Sequence, residues 1–176
     1  QKLQLEKDKL DFEKEINGRA TSQSLYAVYD TMIRIDKDTF IADSEINFDV
    51  EATDRALALF VHKDVIPLRS VTSFSTFPYI DVYPWNWYLL ESYCRRFSKQ
   101  FMYQCLSVNS RNVGAIYRKS AGFLDYTTVM AAAVAQADIK LEPSDVGDFL
   151  FERGYIAHRT SAVQEVTVQA RILRER

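Results

Sequence analysis

The residues best suited to ligand chemistry lie between Ser92 and Phe123, where the sequence has no Asp or Glu. This basic block contains Arg95, Arg96, Lys99, Arg111, Arg118 and Lys119, with Tyr117 among them. Cations interleaved with aromatic rings are typical of surfaces that bind phosphates and stack on bases. A second interpretation is that the block faces the acidic segment 36–54, either within this protein or on a partner. The sequence leaves both interpretations open.

Catalytic residues are harder to identify. Two cysteines, Cys94 and Cys105, and two histidines, His62 and His158, are the candidates for nucleophilic catalysis. Cys94 lies on the apolar side of a predicted helix, where a buried thiol is usually inert. The chain lacks the glycine-rich, P-loop, zinc-protease and serine-hydrolase motifs. We therefore predict no enzyme activity and no cofactor.

Metal binding is not predicted either. Asp36 and Asp38 match the first two ligand positions of an EF-hand loop, but Phe40 and Ile41 interrupt the pattern. The two cysteines are not spaced for zinc and are too few for a disulfide framework. A reducing, cytoplasmic location is the expectation from this cysteine usage.

Composition narrows the function classes further. The chain has 176 residues and a formal net charge of −2, which excludes a globally basic nucleic-acid binder but not a local patch. No apolar run approaches the length of a membrane span, so no membrane association is predicted. Since the chain begins at Gln1, we expect it to be a segment of a longer protein.

The pattern of apolar residues predicts an α+β fold that is mainly helical. Residues 1–20 are predicted to form an exposed lead-in helix, and 21–176 a single compact domain. Its first part, 22–101, is predicted to contain helices at 22–35 and about 50–62, joined by a solvated acidic loop. Extended or turning chain follows up to Pro84, where a helix is predicted to start with the face Trp87, Leu90, Cys94, Phe97 and Phe101.

The second part, 102–176, is predicted to be a hairpin followed by a winged-helix-like third. The strands FMYQCLSV and VGAIYRK flank a turn, with a helix as the alternative for the second of them, and Gly114 indicates a bulge or a close backbone approach. Helices follow at 125–138, capped by Asp125, and at 144–153, capped by Ser144 and ended by Gly154. The stretches YIAHR and EVTVQARIL are interpreted as the strands of the wing.

The predicted recognition helix is poorly suited to DNA. Its exposed positions include Asp145, Asp148 and Glu152, which would be repelled by phosphates. We therefore predict a non-catalytic docking or scaffold module that binds a protein partner or other domains of its parent chain. The alternative is a nucleic-acid-binding module that uses the basic segment 92–119 for phosphate contacts.

Overall fold

The computed structural model describes residues 2–4, 27–107 and 111–176, and within them the chain is a mixed helix-and-sheet protein, as predicted. The strands are β1 Lys2–Gln4, β2 Ile33–Arg34, β3 Thr39–Ile41, β4 Val65–Pro67, β5 Phe101–Gln104 and β6 Ala115–Arg118. The helices are α1 Val50–Ala58, α2 Trp87–Arg96, α3 Tyr126–Gln136, α4 Pro143–Arg153 and α5 Ala162–Glu175, with a helical turn at 27–31. Short 3-10 turns span Asp43–Glu45, Leu68–Ser70 and Lys119–Ala121.

An antiparallel sheet of order β4-β6-β5 lies between two groups of helices. Successive side chains of a strand point to opposite faces, and the core follows this alternation. Ala115 and Tyr117 pack against α3, α4 and α5, whereas Ile116 between them packs against α1 and α2. The predicted hairpin of β5 and β6 is therefore confirmed, with both faces buried.

Gly114 lies where the backbone of this hairpin approaches a ring. A Cβ atom at this position would lie 2.5 Å from the Tyr103 hydroxyl and 2.7 Å from the Gln104 carbonyl oxygen. No side chain fits there, so the predicted close approach at this glycine is confirmed.

Local signals set several helix ends. Asp125 caps α3 through a reciprocal capping box with Thr128, as predicted for Asp125. Gly154 ends α4 in the left-handed conformation with φ +85°, also as predicted. The other end of α4 differs: Glu142 precedes Pro143, which occupies the first turn, so the predicted cap at Ser144 is wrong.

The helix α2 begins later and ends earlier than predicted. Asn86, rather than Pro84, caps it by accepting a hydrogen bond from the Leu89 amide at 2.8 Å. Phe101 is not part of this helix but starts β5. The fully buried Leu90 and Tyr93 confirm that this aromatic stretch contributes to the core.

A second antiparallel sheet, of order β1-β3-β2, corrects three predictions near the N-terminus. Residues 2–4 form a strand rather than a helix, while 5–20 and the boundary at 20 and 21 lie outside the described residues. Ile33 belongs to β2 rather than to a helix extending to 35. Phe40 and Ile41, predicted within a solvated loop, are fully buried in β3. The free energy gained by burying these apolar side chains exceeds the preference of the neighbouring acidic residues for solvent.

The winged-helix-like prediction is not confirmed. The stretch EVTVQARIL, predicted as a strand, belongs to α5, and YIAHR forms no strand. Val163, Val166, Thr167 and Ala170 are buried with the three- and four-residue spacing of a helix. This helical period prevails over the local alternation of apolar and polar residues. The C-terminal third is thus three packed helices, α3 to α5.

A buried carboxylate joins the first helix to the turn that precedes β5. Asp54, only 2% exposed, accepts hydrogen bonds from the hydroxyls of Tyr93 and Ser98, both at 2.6 Å. Its other oxygen accepts from the backbone amides of Lys99 and Gln100, both at 3.1 Å. From the sequence, Asp54 is only the last residue of the acidic segment 36–54, so its structural role was not predicted.

We predict that Asp54→Asn destabilises the protein by about 3 kcal/mol, since an amide nitrogen would face donors that now have an acceptor. Tyr93→Phe should cost about 1–2 kcal/mol, because three donors to the carboxylate remain. Urea unfolding should show lower midpoints with an unchanged slope. Asp138→Asn, at an exposed position, is the matched control. A midpoint for Asp54→Asn equal to that of the control would contradict the assigned role.

Candidate functional site

Several members of the predicted basic block form contacts within the protein. Arg96 forms a paired hydrogen bond with the Asp43 carboxylate, at 2.7 and 2.5 Å. This ion pair is the contact with the acidic segment that the second interpretation allowed, and it lowers the pKa of Asp43. Arg118 donates to the Val61 carbonyl at 2.8 Å, and Lys119 donates to the Ser98 carbonyl at 2.8 Å.

The remaining members of the block differ in their exposure and contacts. The guanidinium of Arg95 lies over the rings of Tyr29 and Tyr103, at 5.8 and 5.3 Å from their centroids. Tyr117 is only 6% exposed, and its ring packs on Phe123, which leaves little area for stacking. Lys99 and Arg111 are the exposed members without a described side-chain hydrogen bond or ion pair. Lys99 follows α2 and Arg111 lies between β5 and β6, and phosphate contacts along the whole block remain a prediction.

A different surface has the geometry of a binding site. A groove of about 520 Å³ runs along the chain between β4 and α2. We call it the aromatic groove; it is lined by Phe74, Ser75, Phe77, Pro78, Tyr79, Ile80, Val82, Tyr83, Pro84 and Trp85. Aromatic and proline side chains dominate its walls, and none of these lining residues carries a formal charge. Largely apolar concave surfaces with a few polar groups are the usual form of binding sites.

Trp85 forms the fixed floor of the aromatic groove. Its ring lies parallel to that of Phe74, at 6.3 Å between centroids, and contacts Phe77 at 5.1 Å. The indole nitrogen donates a hydrogen bond to the Pro78 carbonyl at 2.8 Å, which closes the segment between them into a loop. The floor is therefore held by both packing and hydrogen bonding.

The rim of the groove is exposed and conformationally strained. Tyr79 is 86% exposed and Val82 is 73% exposed, both large apolar side chains without cover. Val82 also has φ 73°, a conformation that is unfavourable for a β-branched residue. Backbone strain of this kind is concentrated at functional positions.

Acidic groups meet the tyrosine hydroxyls at this rim. The Tyr79 hydroxyl lies 3.4 Å from an Asp81 carboxylate oxygen, and that of Tyr83 lies 3.4 Å from Glu45. The hydroxyls donate in both contacts because a carboxylate is only an acceptor. The groove thus combines aromatic walls with a negatively charged edge.

This site was not predicted from the sequence. The stretch FSTFPYIDVYP is predicted as extended or turning chain, and it forms turns and bends without a helix or strand, but its sequence suggested no function. Its signal was the alternation of aromatic residues with prolines, which cannot form a regular helix and leaves rings on the surface. The predicted site residues and the aromatic groove share no member.

The candidates for catalysis and metal binding are placed as follows. Cys94 is buried, and burial raises the pKa of its thiol, which disfavours the reactive thiolate. Within residues 27–107 and 111–176, no three His, Cys, Asp or Glu side chains form a group that could hold a metal ion. None of the described helices has the length and apolar character needed to cross a bilayer.

Comparisons with protein-family models, curated proteins and solved structures find no match for this chain. The candidate site consequently stands on its own geometry and chemistry.

Arg34 and Glu91 form a buried ion pair near Arg95. Glu91 is 4% exposed and Arg34 is 3% exposed, with Arg34 Nη1 at 3.9 Å from Glu91 Oε2. Neither of these two atoms has a hydrogen-bond partner. Burial raises the pKa of Glu91 from 4.5 to about 7, against the opposing attraction of Arg34 and Arg95. At this long distance the arginines offset only part of the desolvation cost.

We predict a pH-dependent stability that arises from Glu91. The folded state binds this proton more tightly than the unfolded state, so the contribution of Glu91 to stability is fully present below about pH 4.5 and is lost as the pH rises through about 7. The change attributable to this group is about 3 kcal/mol. The difference in unfolding free energy between the parent protein and Glu91→Gln should follow that course, whereas Glu175→Gln, exposed at the chain end, should match the parent throughout. A constant difference between the parent and Glu91→Gln would refute it.

Proposed function

We propose that this chain is a protein-interaction module whose aromatic groove docks a proline-rich, basic segment of a partner protein. The observation that carries the proposal is the concave aromatic and proline surface with Tyr79 and Val82 exposed at its rim. Uncovered apolar groups of this size, gathered in one groove, are typical of interaction sites.

The aromatic and proline lining of the groove suits a polyproline II segment. Such a segment has no internal hydrogen bonds and is already extended before binding, so little conformational entropy is lost. Proline rings pack well in grooves lined by aromatic side chains. The floor at Trp85 supplies a flat face, and the exposed Tyr79 stands at the rim.

The charges at the rim select among proline-rich segments. The exposed Asp81 lies beside the Tyr79 hydroxyl, so an arginine or lysine next to the prolines would gain a favourable interaction. The same carboxylate opposes a phosphate backbone, because nucleic-acid affinity depends on cations. The edge of the groove therefore favours a basic peptide over a nucleic acid.

The binding test uses a synthetic proline-rich peptide with flanking arginines, titrated against the chain while the tryptophan fluorescence is followed. We predict saturable binding that Tyr79→Ala weakens by about tenfold or more, since exposed aromatic contacts often contribute at least ~1.4 kcal/mol. Leu124→Ala is the matched control, because Leu124 is 89% exposed and outside the groove. Asp81→Asn should reduce both the affinity and its dependence on salt.

Three further ligands define the outcome. A peptide in which glutamines replace the arginines should bind more weakly to the parent chain but equally to Asp81→Asn. A peptide with the same charge but no proline should not bind detectably. Equal affinity of the parent and Tyr79→Ala for the proline-rich peptide would refute the groove as the docking site. Tighter binding of a single-stranded oligonucleotide, lost at moderate salt, would favour the nucleic-acid alternative.

A further inference from the structure

A second cavity, separate from the aromatic groove, is lined by cations. It has a volume of about 780 Å³, and its wall includes Arg69, Leu106, Arg111, Phe151, Glu152 and His158. We call it the cationic pocket. Arg69 comes from the 3-10 turn after β4, Leu106 and Arg111 from the connection between β5 and β6, and the others from the end of α4 and beyond. Pockets of this size hold small organic ligands.

Arg69 is held at the edge of this pocket by the backbone. Its Nε donates a hydrogen bond to the Asn112 carbonyl at 3.0 Å. Its aliphatic stem lies against Gly154, where a Cβ atom would be 3.1 Å from Arg69 Cδ. Gly154 is itself fixed by a hydrogen bond from the Gly114 amide to its carbonyl, at 3.0 Å. The guanidinium is thus oriented by main-chain groups rather than by a carboxylate.

The charge of the pocket is left largely unbalanced. Within the described residues, neither Arg69 nor Arg111 forms an ion pair. His158 adds a third basic group, and Glu152 is the one carboxylate among the described residues that line the pocket. Two arginines that line one cavity without a carboxylate partner are suited to bidentate binding of a phosphate.

The pocket also offers an apolar wall. Phe151 is 50% exposed and Leu106 is 46% exposed, although both line the cavity. An exposed aromatic ring beside cations can stack on the flat face of a base. Such stacking is possible with any base and so has no sequence preference. The combination of a phosphate-binding edge and a stacking wall determines the chemical class of ligand.

We infer that the cationic pocket binds a nucleotide, with its phosphate on Arg69 and Arg111 and its base against Phe151. The ligand is either a free nucleotide or the phosphorylated end of a single strand, since both present the same group. This site is independent of the proposed peptide docking, because the two cavities share no lining residue.

The test is a calorimetric titration of the chain with AMP, inorganic phosphate and adenosine, at low salt. We expect saturable AMP binding that Arg69→Glu and Arg111→Glu each weaken tenfold or more. Arg111 is exposed, so its charge reversal should leave the fold intact even if Arg69→Glu does not. Lys140→Glu, an exposed cation outside the pocket, should bind AMP like the parent chain. Phe151→Ala should weaken binding of AMP but not of inorganic phosphate.

Two outcomes would overturn the inference: no saturable binding of AMP or of a phosphorylated oligonucleotide at millimolar concentration, or binding that Arg111→Glu leaves unchanged. A short oligonucleotide with a 5′ phosphate, compared with the same strand without it, separates the two sources. Binding of the phosphorylated strand but not of AMP assigns the pocket to strand ends, while tighter binding of AMP assigns it to free nucleotides. Loss of AMP binding with intact peptide docking would leave the proposed function standing.

Discussion

The arrangement of the helices and the central sheet depends on the hydrogen bonds that the Asp54 carboxylate accepts. A buried carboxylate costs several kcal/mol of desolvation unless donors surround it. Here two hydroxyls and two backbone amides satisfy it, without a cation among its hydrogen-bond donors. The four donors lie at the end of α2 or in the turn that leads into β5. The Asp54 carboxylate on α1 therefore fixes the positions of both the end of α2 and this turn. Packing alone would tolerate small displacements of α1, whereas four directed bonds do not.

The aromatic groove depends on the same interaction through Tyr93. The hydroxyl of Tyr93 donates to Asp54, and its ring contacts Phe48 at 5.1 Å and Trp85 at 5.9 Å. Trp85 in turn forms the floor of the groove, so one side of this aromatic network is fixed by a buried charge and the other faces a ligand. A floor that is rigid before binding loses little entropy when the ligand arrives. The strained, exposed rim at Val82 is therefore supported by an unstrained interior.

Elements with strong local signals were predictable from the sequence, and elements defined by tertiary burial were not. Asp125, Gly154 and the prolines before α2 act within a few residues, so α3, the end of α4 and the extended chain were found. The strands β2 and β3 are two and three residues long, too short for a periodic pattern, and their burial depends on distant partners such as Leu89. The sequence of α5 is compatible with both the two-residue alternation of a strand and the 3.6-residue period of a helix. Packing against α3 and α4 stabilises the helix. The aromatic groove could have been suspected from its composition, but the concavity that makes it a site exists only in three dimensions.

The basic block shows why a run of cations in the sequence need not be free to bind a ligand. Arg96 pairs with a carboxylate, and Arg118 and Lys119 donate hydrogen bonds to carbonyls. A cation that already has a partner must lose that contact before it can hold a phosphate, which reduces its net contribution to binding. Arg111 differs because it is exposed and shares a cavity with Arg69, a residue far from it in sequence. The affinity of this protein for anions should therefore be set by those two arginines in space and not by the basic run in the sequence.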